Sequence, residues 1–202
     1  EYPFSVPVTR KEGPFSVQDI IDMQRDHYEG TPYSTTQGLA AGPYGDPNRF
    51  DLGANGNMTL LEANQGEFQR TISLFRTSYA FVTQSRRSVP NVLALVWLGQ
   101  YAPDMSSFAP LYVHSESLPT ALIRGTMHAY NNNSAWWNFC VVGNYAARFY
   151  SFTIDTIRGM QRDLEKQMGD NVKNIEMIVQ NFITQDAETQ DPDRVLGGIA
   201  SS

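Results

Sequence analysis

Cysteine is nearly missing from this sequence: Cys140 stands alone among 202 residues. Neither a disulfide framework nor a cysteine zinc cluster can form within the chain. Histidine is scarce too. His27, His114 and His128 fall in no H-E-x-x-H or H-x-H spacing, so no metal site is expected. A phosphate-cradling P-loop and a G-x-S-x-G elbow are both lacking, and no cofactor is expected. Basic residues never cluster beyond the pair Arg86-Arg87, and the net charge is -6, which argues against nucleic acid as a partner. No apolar run approaches the ~18 residues that would suggest a membrane span, so no membrane partner is expected either. The chain opens at Glu1 with neither an initiator Met nor a signal-peptide pattern, which suggests a processed or partial polypeptide.

The hydrophobic fraction of 41% in a chain of this length is enough for one sizeable core. The stretch that organises it is residues 25–50. There Gly30, Gly38, Gly42 and Gly45 alternate with Pro32, Pro43 and Pro47, and no helical or strand period survives. A loop this long inside a compact domain is more often functional than not. Before it, Ser16 is placed to cap a helix over residues 17–28, with Asp19 completing a capping box and Gly30 ending the helix. After it, residues 71–83 are rich in β-branched and aromatic side chains and read as a long strand. Residues 91–99 are nearly continuously apolar, as in a strand covered on both faces. Residues 108–113 supply a third strand, in which Pro110 points to a sheet edge. Short connections favour an antiparallel meander. From Ala135 to Met168, apolar residues recur at steps of three and four, which predicts one long helix weakened at Gly143 and Gly159. Gly169 would close it and Asp170 would cap a shorter helix reaching about residue 184. The organisation is α+β, with one domain portion over 1–186 and a loose tail over 187–202.

Candidate chemistry is sparse. His27 and Glu29 stand together at the mouth of the loop, where a helix-end histidine satisfied by carbonyls is the plainer reading. Cys140 lies mid-helix beside Phe139 and Val141, a setting for core filler rather than a nucleophilic thiol. Arg76 interrupts the long strand on the face of Ile72, Leu74, Ser78 and Ala80. A guanidinium there needs an anion, either one of the protein's own carboxylates or that of a substrate. Two sequons, at Asn57 and Asn132, lean toward a glycoprotein of a secretory, lysosomal or vacuolar compartment.

Three segments together carry a family likeness: RDHYEGTPYSTTQGLAAGPYGDPNRF from Arg25, ISLFRTSYAFVTQSRRSVPNVLALVWLG from Ile72, and SAWWNFCVVGNYAARFYSF from Ser134. With the opening EYPFSV and the helix SVQDIIDMQRDHYEG, the sequence resembles the dipeptidase family of N-terminal-nucleophile cysteine hydrolases over nearly all but its tail. The resemblance implies a four-layer αββα sandwich, with an antiparallel sheet and long C-terminal helices. It also implies hydrolysis of short peptides through an acyl-enzyme on a cysteine exposed at a processed N-terminus. Since the first residue is Glu1 and the single cysteine is internal, the chain resembles the C-terminal portion of such an enzyme. The nucleophile, and the strands that close the sandwich, are then expected on an upstream segment or a second chain. Arg76, Asn48, Arg49 and His27 are the expected substrate-binding residues, with a small peptide as the ligand and a homo-oligomer as an open option. Two alternatives stand beside this reading: a hydrolase of the same fold acting on another amide, and a non-catalytic binding or structural relative.

Overall fold

The computed structural model of the chain describes residues 13–48, 70–87 and 89–189. The elements in order are α1 (Val17–Gln24), α2 (Gly38–Ala41), β1 (Tyr79–Gln84), β2 (Leu95–Gln100), β3 (Ala109–Tyr112), α3 (Thr120–Ile123), α4 (Ala135–Ala147) and α5 (Tyr150–Thr189). The strands form one three-stranded antiparallel sheet in the order β1-β2-β3, the meander expected, with Pro110 on an edge strand opposite Trp97.

The first helix starts as its sequence dictates. Ser16 Oγ accepts from the Asp19 N–H at 3.1 Å while Asp19 Oδ2 accepts from the Ser16 N–H at 2.8 Å, a reciprocal capping box. It ends earlier than expected, at Gln24 rather than at Gly30. The reason is local competition for the backbone. Asp26 Oδ1 takes the Tyr28 N–H at 2.7 Å and Glu29 Oε2 takes the His27 N–H at 2.8 Å, so those donors leave the helical ladder. Tyr28 then turns to φ 62°, outside helical space.

The long strand expected over 71–83 is shorter, and the difference is set by its partner. Register pairs run from Gln84↔Leu95 to Tyr79↔Gln100 and stop there, because Tyr101 adopts φ 74° and leaves β2. One further bond links the two strands, from the Tyr101 N–H to Ser78 O at 2.9 Å; before it the described residues offer no strand to pair with, and the Ser73 N–H goes to Asp26 O at 3.1 Å and the Thr77 N–H to Leu74 O at 3.0 Å. Likewise residues 91–93 form a 3₁₀ turn, so β2 begins only at Leu95.

The single helix expected over 135–168 is two. The chain turns at Arg148 and Phe149, between α4 and α5, and runs straight through both Gly143 and Gly159. Nor does Gly169 stop the second helix. Trp97 lies over it, with Cη2 4.0 Å from where a Cβ would sit, and Asp170 pairs along the helix with Lys166 and Lys173 instead of capping a new one. α5 continues to Thr189, through residues 187–189 of the expected tail; the remainder of that tail lies outside the described residues.

Among the described residues, two apolar clusters form hydrophobic core. Ile21, Leu95, Trp97, Phe108 and Val172 pack between the sheet, α1 and α5. Tyr101, Ala102, Met105, Ala146, Tyr150 and Ile154 pack where α4 and α5 meet the turn after β2. Along α5 the buried residues therefore read apolar, polar, apolar: Tyr150 and Ile154, then Gln161 and Glu165, then Val172 and Val179. The central pair is not a packing defect, because each group is hydrogen-bonded. Gln161 Nε2 donates to Asp104 O at 2.9 Å and Ser106 O at 3.0 Å, and Glu165 accepts from the Phe108 N–H at 2.9 Å and from the buried Arg25 guanidinium.

Candidate active site

The Gly/Pro loop is fixed to α5 by backbone and rings. The Ser151 N–H donates to Tyr44 O at 2.9 Å, and Tyr44 packs edge-on to Phe149 at 5.2 Å. Gly45, at φ 64°, brings the chain so close to Thr36 that a Cβ would lie 2.8 Å from its carbonyl oxygen. Only glycine combines that dihedral with that approach. The loop end, Asp46 and Asn48, is thereby held beside the segment that leaves β2.

Between them lies a cleft of about 420 Å³. The loop contributes Asp46 and Asn48, the turn after β2 contributes Tyr101, Asp104 and Met105, and the α4–α5 corner contributes Gly143, Asn144 and Arg148. Phe75 closes one side. The position follows from the strand: Tyr101 departs from β2 in a left-handed conformation that non-glycine residues seldom take, and such residues cluster at functional sites. The Asn144 amide donates to the Tyr101 hydroxyl at 3.2 Å, and burial pushes that hydroxyl up to about 12, so it stays a phenol.

Asp104 anchors the polar floor. Ser73 Oγ donates to its Oδ1 at 2.9 Å, and the His27 Nε2 atom lies 3.6 Å from Oδ2, too far for a hydrogen bond. Burial pushes the Asp104 carboxyl upward, against the nearby imidazole and the Ser73 hydrogen bond. His27 is fully buried, and its Nδ1 hydrogen-bonds the Tyr150 hydroxyl at 3.1 Å. Burial raises the Tyr150 phenol, so the hydroxyl beside His27 stays protonated. Beyond Nδ1, Glu29 accepts from Arg158 Nη2 at 2.6 Å. Burial alone would raise Glu29, but hydrogen bonds from His27 and Arg158 outweigh it and hold the carboxyl well below its usual range.

The expected site residues are thus scattered. Asn48 lines the cleft. His27 sits not at the loop mouth but beneath the cleft, reaching it through Asp104. Arg76 is exposed on a turn rather than set in an apolar strand face, and its guanidinium lies over the ring of Phe75 at 5.6 Å. Arg49 lies outside the described residues, as does Asn57. Asn132 stands on an exposed turn. Sequence reasoning missed Asp46, Tyr101, Asp104, Asn144 and Arg148. One usable signal was the Tyr-Ala-Pro-Asp run directly after the most apolar strand, where a central strand ends and a pocket opens.

Cys140 points away from nucleophilic chemistry. It is half-buried against the Tyr101 cluster, and burial raises its thiol, whereas a nucleophile needs it lowered.

Residues 1–163 match the description Peptidase family C69. The chain belongs to that family. Its members are cysteine-type dipeptidases, thiol proteases of the N-terminal-nucleophile kind, and the match spans the loop, the sheet, α4 and the first part of α5. No curated protein matches the chain. Family membership gives the cleft its context: a dipeptidase needs a pocket for a short polar ligand, and Asp46, Asn48, Asp104, Asn144 and Arg148 supply acceptors, donors and charge of both signs around one.

Proposed function

We propose that this chain is the scaffold and substrate-pocket portion of a cysteine dipeptidase whose nucleophile is an N-terminal cysteine on an upstream segment or a second chain. The observation that carries this reading is a polar cleft without a thiol, in a chain of a cysteine dipeptidase family. In the reaction the free α-amine takes the thiol proton, the thiolate attacks the scissile carbonyl carbon, and the tetrahedral intermediate expels the amine as it regains that proton. Water then hydrolyses the thioester and restores the thiol. The Arg148 guanidinium, on the cleft wall, suits the oxyanion or a peptide carbonyl. Asn48 would contact the peptide, Arg76 would act at the rim through Phe75, and His27 would hold Asp104 from below.

The sheet supports a four-layer αββα architecture for the whole enzyme. Leu95, Trp97 and Gly99 on one face of β2 are buried, while the opposite face, with Val96 and Leu98, lies beside Tyr79 and Phe81 at 61% and 51% exposure. A face this apolar suits a second sheet packed against it.

The test is direct. The intact polypeptide, assayed on a dipeptide panel, should lose activity on thiol alkylation, and its mature N-terminus should read cysteine. Hydrolysis insensitive to alkylation, or a mature N-terminus other than cysteine in the active protein, would sink the proposal.

A further inference from the structure

One hydroxyl in the cleft has a proton that no protein group receives. The Asn144 amide beside it is already spent, because its Nδ2 donates to Cys140 O at 2.7 Å and to the Tyr101 hydroxyl at 3.2 Å. The Tyr101 hydroxyl thus receives a hydrogen bond but gives none among the described residues, and it lines the cleft. Its proton is left for whatever enters.

The phenol is also held in place before any ligand arrives. The Tyr101 backbone, at φ 74°, is tied by its N–H to Ser78 O at 2.9 Å. Its ring meets Trp136 edge-on, 5.9 Å between centroids. Gly143 lets the ring lie against α4, since a Cβ there would come within 2.5 Å of Tyr101 Cε1. A left-handed tyrosine and a glycine inside a helix each cost stability, and together they seat this one side chain.

The acidity of the phenol decides between two roles. Burial, and then the nearby Cys140 thiol and Asp104 carboxyl, push it up to about 12. Such a group keeps its proton rather than passing it to a leaving amine, so it acts by donating a hydrogen bond. A fixed donor does most for an atom that gains negative charge, and in forming and hydrolysing a thioester that atom is the carbonyl oxygen. We propose that the Tyr101 hydroxyl is an oxyanion donor of this enzyme, bonding the carbonyl oxygen of the tetrahedral intermediate in both half-reactions. The thiolate sulfur, and later the water oxygen, adds to the carbonyl carbon while the C=O electron pair moves onto that oxygen. The pair returns as the amine, or later the thiolate, leaves, and Tyr101 gives up no proton at any step. The inference rests on the dipeptidase reading and adds to it a catalytic residue carried by this chain.

The experiment is Tyr101→Phe in the intact enzyme, which keeps the ring and removes the hydroxyl. With alanyl-alanine as substrate, kcat should fall about a hundred- to a thousandfold, the cost of one lost oxyanion donor, with KM and the thermal melt close to wild type. A dipeptide aldehyde, whose hemithioacetal on the catalytic thiol carries the same oxygen, should bind the variant more weakly by a comparable factor. A raised KM with kcat unchanged, full activity, or an unchanged affinity for the aldehyde would overturn the inference while the dipeptidase reading stands. If Tyr101→Phe does not melt cooperatively, Asn144→Ala decides, since it leaves the ring in place and frees the hydroxyl to turn. A fall in kcat of about two- to tenfold supports the assignment, and an unchanged kcat overturns it. A wild-type enzyme that hydrolyses no dipeptide, or does so after its thiol is alkylated, removes the dipeptidase reading and this inference together.

Discussion

Taking away the Arg25 guanidinium would leave Glu165 buried with its negative charge and only two neutral donors, the Phe108 N–H and the Gln18 amide, to hold it. Breaking one side of a buried pair costs about 3–5 kcal/mol, far more than the pair adds over a well-packed apolar replacement. Arg25→Ala should lower unfolding free energy in urea by that amount, and a double variant with Glu165→Leu should recover much of it. Asp104 makes the opposite kind of prediction. Its folded-state carboxyl is raised above the ordinary 3.8, so its contribution to stability is complete below 3.8 and is lost as pH rises through the folded value. Asp104→Asn should therefore gain on the wild type progressively as pH climbs above about 4, in denaturant titrations across pH. A gap between the two proteins that is flat with pH would contradict the assignment. None of these partners was legible in the sequence, because charges that meet across 140 residues leave no local pattern. The strand pattern around Arg76 misled for a related reason. Propensity marks residues 71–78 as strand-like, but a strand needs a neighbour, and β2 has already turned away at Tyr101.

At the scale of elements, glycines separate what the sequence discloses from what packing decides. Gly143 reads as a weak point in a helix; in the fold a Cβ there would lie 2.5 Å from Tyr101 Cε1 and 3.1 Å from Met105 Cβ. Gly143→Ala should lower the melting temperature, with a loss of about 1–3 kcal/mol from forced repacking, and should narrow the cleft that Gly143 lines. Gly169 reads as a stop and is none. Its added Cβ would meet only Trp97 at an ordinary 4.0 Å, so Gly169→Ala should stabilise the protein by about 0.5–1 kcal/mol in the same melts. The Ser16 cap and the meander were readable because each is written in adjacent residues. The turn at Arg148 and Phe149 was not: the apolar spacing runs on through it, and the break is marked only by hydrogen bonds of the Arg148 N–H to Tyr145 O at 3.3 Å and the Phe149 N–H to Ala146 O at 3.0 Å. That corner places Arg148 on the cleft wall, so missing it also meant missing a site residue.

For the molecule as a whole, the apolar pattern of β2 anticipated cover on both faces, and among the described residues one face has it. If the other is covered in the intact enzyme as the four-layer proposal holds, Phe81→Ala there should cost about 3–5 kcal/mol, the penalty of a core phenylalanine. A change within about 0.5 kcal/mol, as at an exposed site, would mean that face meets solvent. The Arg25–Glu165 contact has a consequence of another order. It ties the first residue of the organising loop to the middle of α5, and each partner is harmful without the other. Across relatives of this chain, the two positions should change in concert or not at all, so that a lineage that has lost the arginine carries an uncharged residue where Glu165 stands.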